Sequence, residues 1–391
     1  MNDFVSFLIH SPTPWHAADR LISMLKGFEE LDETKDWNLK PGSYWVRRSG
    51  ALIAFRLPAR PTRSLLIASH LDSPGLKLKP RPDLTQHGSH QFGVEVYGGP
   101  LLYTWFDRDL CISGQVATNQ GLKLVHLDSH PLLIPSLAIH LDREINDKGF
   151  LPNKQSHLKP LAPGPLKKIL GFEPLAFDLF LTPLEAPRIY GDLISGYRLD
   201  NLSSAYASCL ALVHGQQRPD TLQMAVFFDH EEIGSETGSG ALSPFVDEVL
   251  ERLVGRNALL PLKRRSLALS VDVGHALHPN YPDKSDLENS SKLGAGPAIK
   301  CNAMRRYATS AATAAPLLAL AGEKKISLQL NAGRSDLTSG STVGPLMEAR
   351  LGIPTVDLGV PLLGMHSIRE TISMSDLDSL TSLLTLSLGH L

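Results

Sequence analysis

The stretch Leu65-Leu66-Ile67-Ala68-Ser69-His70-Leu71-Asp72 joins a short, almost wholly apolar run to an imidazole and a carboxylate. A run of this length with no polar alternation predicts a strand buried on both faces, as in a parallel α/β sheet. Two later stretches repeat the pattern. Met224-Ala225-Val226-Phe227-Phe228 leads through Asp229 into His230-Glu231-Glu232, and Leu267-Ala268-Leu269-Ser270-Val271 leads into Asp272. Metal-capable side chains therefore stand where each strand leaves the sheet, the edge at which open α/β sheets bind ligands.

Helical spacing separates these strands. Thr13 is a candidate cap and Pro14 suits the first helical position, with Trp15, Ala18, Leu21, Ile22 and Leu25 forming one apolar stripe. Further helices are expected from Phe245 to Val254 and from Arg305 to Leu320. From about Gln91 to Pro183 the character changes: short strand-like pieces such as Val94-Glu95-Val96-Tyr97, Leu122-Lys123-Leu124-Val125 and Phe177-Asp178-Leu179-Phe180-Leu181 lie among many Gly and Pro. That composition predicts an inserted β-rich domain, with Leu151 to Lys168 as a flexible loop within it. The expected division is a catalytic α/β domain in two parts, 1–80 and 187–391, interrupted by an insertion at 81–186.

The chain has 391 residues, more than the roughly 150 of a usual single domain, so two domains or one large insertion are expected. Lys+Arg at 38 against Asp+Glu at 40 gives no general electrostatic reason to expect nucleic acid or an anionic membrane as a partner. The three cysteines, Cys111, Cys209 and Cys301, are scattered and form no Cys-x-x-Cys pair, which suits a reducing compartment. The N-terminal stretch lacks the basic head and apolar core of a signal peptide, and no apolar run approaches the roughly 20 residues of a membrane span. A cytoplasmic protein is expected.

A lone His-x-Asp or Glu-Glu pair is ordinarily a satisfied core histidine or a solvated charge pair. Several such residues, each directly after a buried strand, are harder to assign to solvated surface. Asp200 in YRLDNLSSA and His366 in LLGMHSIRE complete the set of candidates, though no local spacing selects them. Imidazoles and carboxylates together suit zinc, and a catalytic zinc keeps a position open for water. If extended, His70 and Asp72 point the same way, so that the acid can receive the ring N–H and fix the tautomer; Glu231 and Glu232 must then diverge, one free to bind metal and the other to act as a base. Other catalytic signatures fail. Position 234 is Gly, which breaks the His-Glu-x-x-His pattern, and neither a Gly-x-Ser-x-Gly elbow nor a phosphate loop occurs.

With these residues stand the motifs SHLDSPGLKLKP, TWFDRDL, IPSLAIHLDRE, RLDNL, HEEIGSE, SVDVGHALHPNY, GPAIKCN, RSDLTSGSTVGP, VDLGVP and MHSIRE, spread over nearly the whole chain. In content and order they resemble the aspartyl aminopeptidases, a family of co-catalytic zinc metallopeptidases. The resemblance implies a mixed-sheet α/β zinc-peptidase catalytic domain interrupted by a β-rich dimerisation domain, and assembly of dimers into a dodecamer. It implies two zincs per subunit, with room for another divalent ion in one position: His70, Asp200 and Asp272 at one, Asp200, Glu232 and His366 at the other, Asp200 bridging. Glu231 would be the general base, Asp72 would support His70, and the pair of metals would polarise the scissile carbonyl and activate water.

The implied substrates are peptides with N-terminal Asp or Glu, the acid being met by Lys300 with His275 and Tyr307 as helpers, and His140 reaching a neighbouring subunit's site. Thr338-Ser339 stands where the family usually has Pro-Cys, and Asn289 to Lys292 is less basic than the family's stretch. These departures bear on substrate preference and leave the hydrolytic chemistry alone. Two readings stay open beside this one: a two-zinc aminopeptidase, carboxypeptidase or deacylase of other specificity, and an inactive scaffold of the same fold.

Overall fold

The computed structural model describes residues 2–391. Its centre is a mixed sheet of nine strands in the order Glu29–Glu30, Gly42–Arg48, Ala51–Leu57, Thr221–Phe228, Arg63–His70, Leu267–Val271, Thr355–Gly359, Ala298–Cys301 and Gln329–Ala332. The four middle strands, from Thr221–Phe228 to Thr355–Gly359, run parallel to one another, and Ala51–Leu57 and Ala298–Cys301 flank them antiparallel.

The absence of polar alternation in the middle strands has the consequence expected of it. Leu65, Ile67, Ala225, Phe227, Leu269 and Val271 face one apolar core, under the helices Asn2–Ile9, Pro14–Met24, Leu199–His214, Ala311–Lys324 and Met374–His390. Leu66, Ala68, Met224, Val226, Phe228 and Ala268 face the other, under Phe245–Val254, Arg256–Arg264 and Val343–Leu351. With both faces covered, each strand is fixed by packing above and below, and its C-terminal end is held to a defined position. No helix is long and apolar enough to cross a membrane among the described residues.

Two smaller sheets complete the molecule. One holds Arg188–Tyr190, Leu193–Gly196, Glu370–Ser373, Pro361–Leu363 and Gly274–His275. The other is wholly antiparallel, in the order Ser89–Tyr97, Gly75–Gln86, Ala176–Pro183, Leu110–Thr118 and Gly121–Leu132, and has its own apolar core around Leu76, Phe92, Trp105, Ile112 and Leu181. This antiparallel sheet starts at Gly75, a few residues before the boundary expected at 81.

Local expectations differ from the structure at three places. Thr13 precedes the helix Pro14–Met24 with extended backbone but does not cap it, because its hydroxyl pairs with His16 Nδ1 at 2.7 Å. The helix expected from Arg305 begins at Ala311: Ser310 and Thr313 form a reciprocal capping box there. Upstream, Asn302 Oδ1 accepts the Met304 N–H in a turn, and Asp357 accepts the Ala308 N–H, so that segment has partners outside a helix. Leu151 to Lys168 is not a free loop throughout, since Leu158 and Leu166 are buried in the antiparallel-sheet core and Leu161 bridges to Gln91 and Leu133.

Candidate metal centre

Parallel pairing brings the ends of the middle strands to one edge, and the register sets Phe228 directly beside His70. His70 is buried, with Nδ1 3.1 Å from the Asp72 backbone oxygen and 3.4 Å from Asp72 Oδ1. A carbonyl can only accept, so Nδ1 carries a proton and Nε2 is the nitrogen directed at the site. Nε2 lies 3.4 Å from Asp200 Oδ1, 3.6 Å from Asp272 Oδ1 and 4.0 Å from Glu231 Oε2.

The Asp72 carboxylate stands beside the His70 ring, as the spacing suggested, and has further partners. The Asp72 backbone oxygen is the nearest partner of the ring. The carboxylate is also engaged elsewhere, Oδ1 accepting the Glu231 N–H at 3.0 Å, and Oδ2 accepting the Glu232 N–H at 3.0 Å and the Tyr97 hydroxyl at 2.9 Å. Asp72 therefore fixes the segment carrying both glutamates. That segment is a tight 3-10 turn, Glu231–Ile233, not an extended chain, entered through His230 at φ 64° and left through Gly234 at φ 101°. The two side chains still part: Glu231 reaches toward His70, while Glu232 Oε2 lies 3.5 Å from His366 Nε2.

Asp200 stands at the start of the helix Leu199–His214, where its backbone and that of Asn201 are not helical, and the Asn201 amide donates to Val271 O at 2.9 Å. This bond ties Asp200 to the last residue of the strand Leu267–Val271, directly before Asp272. Asp200 Oδ1 faces His70, and Oδ2 lies 3.5 Å from His366 Nε2. His366 Nδ1 lies 3.1 Å from Gly99 O, so its protonated nitrogen also points away and Nε2 points inward. Asp272 is aligned by its N–H to Leu358 O at 2.9 Å; a side chain on Gly359 would place Cβ 1.9 Å from the Asp272 oxygen, so only glycine fits there.

Three groups have ligand atoms mutually within 4.8 Å: His70, Asp200 and Asp272; Asp200, Glu232 and His366; and His70, Glu231 and Glu232. So much acid in one buried place is electrostatically unbalanced. Burial, then repulsion from Asp272, Asp72 and Asp200, pushes the Glu231 carboxyl up to about 8, although His70 opposes this. Burial and Asp200 push Glu232 well above its ordinary range. For Asp200 burial also acts upward, but His366 and His70 outweigh it and hold the carboxyl low. For His70 burial acts downward, yet Asp200, Asp272 and Asp72 hold its pKa well above the ordinary value. Asp200 Oδ1 is buried and has no hydrogen-bond partner. An orphaned carboxylate oxygen among inward imidazole nitrogens and further carboxylates has the donor chemistry of a zinc site, and the residues fit that ion.

The expected substrate residues are placed less uniformly. Lys300 is buried at 2% exposure, its ammonium donating to Val273 O at 3.0 Å, 3.8 Å from Asp272 Oδ2 and 5.1 Å over the Tyr307 ring. His275 and Tyr307 line a cavity of about 420 Å³ with His278, Tyr281, Arg334 and Leu337, and Lys300 is not part of that wall. His140 lies on an exposed 3-10 turn, Ile139–Leu141, and takes no part in the hydrogen bonds of the cluster. Tyr97, Gly99 and Asn201 orient the centre without having been singled out by any pattern, since their contacts are with residues far along the chain.

Comparison with known proteins identifies the family. The family model for the aminopeptidase I zinc metalloproteases (M18) matches residues 7–169 and 167–386. A probable M18 family aminopeptidase 2 of Stutzerimonas stutzeri (strain A1501) is 39% identical over 415 residues, covering 97% of this chain and 96% of its own. Among solved structures, the cryo-EM structure of the Ape4 and Nbr1 complex superposes with a TM-score of 0.92 at 34% identity, covering 98% of this chain and 84% of that one. The S. cerevesiae mApe1 dodecamer superposes at 0.83 with 25% identity, covering 98% and 95%. Fold, buried acid-imidazole cluster and relatives aligned over almost the full length lead to one assignment: this chain belongs to the M18 zinc metallopeptidases and is an aminopeptidase of that family.

Proposed function

We propose that this aminopeptidase holds two zinc ions per subunit and removes Asp or Glu from the N-termini of peptides. The observation that carries the two-ion reading is the bridging posture of Asp200, whose two oxygens face the Nε2 atoms of two different histidines at 3.4 Å and 3.5 Å. His70, Asp200 and Asp272 would hold one ion, and Asp200, Glu232 and His366 the other. Zinc bound there supplies a Lewis acid for the scissile carbonyl and a lowered pKa for the attacking water. Glu231, left outside both sets, takes the proton of that water and returns it to the departing amine. Its carboxyl is raised by burial in the metal-free chain and descends as positive charge is added beside it, which suits a base working near neutral pH.

The acidic preference rests on Lys300, the ammonium nearest the cluster, which stands behind His275 and Tyr307 at the cavity. A second reading has its own support. With Lys300 outside the cavity wall, and Leu337, Thr338, Ser339 and Leu362 within it, a preference for neutral side chains fits the same two-zinc chemistry.

The antiparallel sheet, whose first strand begins at Gly75, is the proposed dimerisation unit, set in an insertion expected at 81–186 between catalytic parts 1–80 and 187–391. Leu137, Ile139 and Leu141 around His140 are 56%, 47% and 74% exposed, an apolar fringe suited to a neighbouring copy whose site His140 would approach. With the mApe1 dodecamer as precedent, we take a dodecamer built from dimers as the working assembly, in the cytoplasm.

The test is a panel of Asp, Glu, Leu and Ala arylamides, run beside zinc analysis of the purified chain. Acidic substrates should be cleaved far faster, with two ions per chain. Equal rates would reject the acidic preference, and one ion per chain would reject the pair.

A further inference from the structure

A second buried carboxylate, Glu370, has an arrangement that matches that of Asp72. Glu370 opens the strand Glu370–Ser373 and is 2% exposed. Its Oε1 accepts the backbone N–H of His366 at 2.7 Å, and its Oε2 accepts the backbone N–H of Asp200 at 2.9 Å. The neighbouring Arg369 turns away, onto Glu185 at 2.8 Å, and no lysine or arginine pairs with Glu370 among the described residues. A buried carboxylate without a cationic partner is costly unless hydrogen bonds and nearby positive charge compensate it. Here both of its oxygens are occupied by main-chain amides of candidate metal ligands.

The two bonds act on backbone that needs holding. His366 has φ 66°, in the left-handed region that residues other than glycine seldom adopt. The bond from its N–H to Glu370 closes the turn His366 to Glu370, leaving the ring to reach Gly99 O with one nitrogen and the cluster with the other. Asp200 arrives from the start of a different helix, so Glu370 joins two separate segments by one rigid carboxylate.

We propose that Glu370 is the positioning residue for the Asp200, Glu232 and His366 half of the centre, as Asp72 is for the segment carrying Glu231 and Glu232. Glu370 sets the distance between the inward nitrogen of His366 and Asp200 Oδ2. This rests on the two-ion reading above. Replacement by glutamine strands one amide whichever way the new side chain is turned, because its NH₂ must face either the His366 or the Asp200 N–H.

The experiment is a zinc titration of metal-free protein against a competing chelator, with wild type, Glu370→Gln, Asp72→Asn and Asp376→Asn compared. Asp376 is a fair control: it too is a buried acid accepting two backbone amides, Gly294 at 2.8 Å and Gly296 at 2.6 Å. Wild type should show two binding events. Glu370→Gln should weaken one of them about 10- to 100-fold and leave the other near its wild-type affinity. Asp376→Asn should lower melting temperature while leaving both events in place. Unchanged zinc affinities in Glu370→Gln, or equal losses in Glu370→Gln and Asp376→Asn, would overturn the proposal. A single event in wild type would remove the two-ion reading, and Glu370 would then be judged by whether its variant weakens that event. Should Glu370→Gln fail to fold, Glu370→Asp keeps the charge but withdraws it by one methylene, and wild-type affinity in that variant would equally overturn the role.

Discussion

Replacing Asp72 with asparagine changes one atom and should still disturb the whole centre. Asp72 Oδ1 accepts from the Glu231 N–H, and Oδ2 accepts from the Glu232 N–H and the Tyr97 hydroxyl. Asparagine offers one oxygen and one NH₂. If the NH₂ replaces Oδ1 it faces the Glu231 amide; if it replaces Oδ2 it faces the Glu232 amide. Either way a charge-assisted hydrogen bond, worth about 1.5–3 kcal/mol, is lost and a buried donor is left opposite another donor. A loss of about 2 kcal/mol passed on to the metal-bound state is roughly 30-fold in affinity, within the about 10- to 100-fold range of residues that orient metal ligands. The assay is zinc competition on folded protein, with kcat measured at saturating zinc to detect misaiming of Glu231. An Asp72→Asn protein with wild-type zinc affinity and wild-type kcat would show that the carboxylate does not hold the Glu231–Ile233 turn, and the account of how the site is built would be wrong.

Glu231→Gln should retain zinc and lose turnover by about 10²- to 10⁴-fold, the usual contribution of a positioned base; full activity would assign the proton to another group. Lys300→Met should raise KM for Asp and Glu arylamides more than for Leu arylamide, with zinc content intact, and an unchanged ratio would take Lys300 out of substrate selection. In chelator-treated protein, burial pushes Glu231 and Glu370 up to about 8, and the surrounding acids hold His70 and His366 above their ordinary values. Through these groups the folded state binds more protons than the unfolded one between the ordinary carboxyl range and about pH 8, so their contribution to stability falls as pH rises through that window. The lowered carboxyls of Asp72 and Asp200 act only below the ordinary carboxyl range, and the lowered histidines His16, His230 and His275 oppose the trend only below their ordinary value of 6.5, so the sign is clear between about pH 6.5 and 8. Melting temperatures of metal-free protein at pH 6.5 and pH 8 check this: a higher value at pH 8 would contradict it, and zinc should remove most of the difference.

The strands Arg63–His70, Thr221–Phe228 and Leu267–Val271, and the presence of His70, Glu231, Glu232 and Asp272 at or just beyond their ends, could be read from the chain alone. A doubly buried strand leaves a local trace, an apolar run that stops at a polar residue, and no distant information is needed to see it. The helix Phe245–Val254 was legible for the same reason. Asp200 and His366 were not legible in this way, and entered only through resemblance to a family. Nothing in their neighbourhoods shows that one lies 3.5 Å from the other, because that distance is set by how the helix Leu199–His214 and the turn before Glu370–Ser373 pack against the sheet edge.

Tertiary structure alone decided the partners. It gave the Asp72 carboxylate to two backbone amides and a tyrosine, placed Glu370 behind Asp200 and His366, and turned the Lys300 ammonium to Val273 O, outside the cavity lining. Strand and helix character follow from periodicity over a few residues, so the sequence determined them. Hydrogen-bond partners, burial and charge balance depend on which remote segments share one small volume, and those are fixed only when the parallel strands take their register and both faces of the sheet are covered.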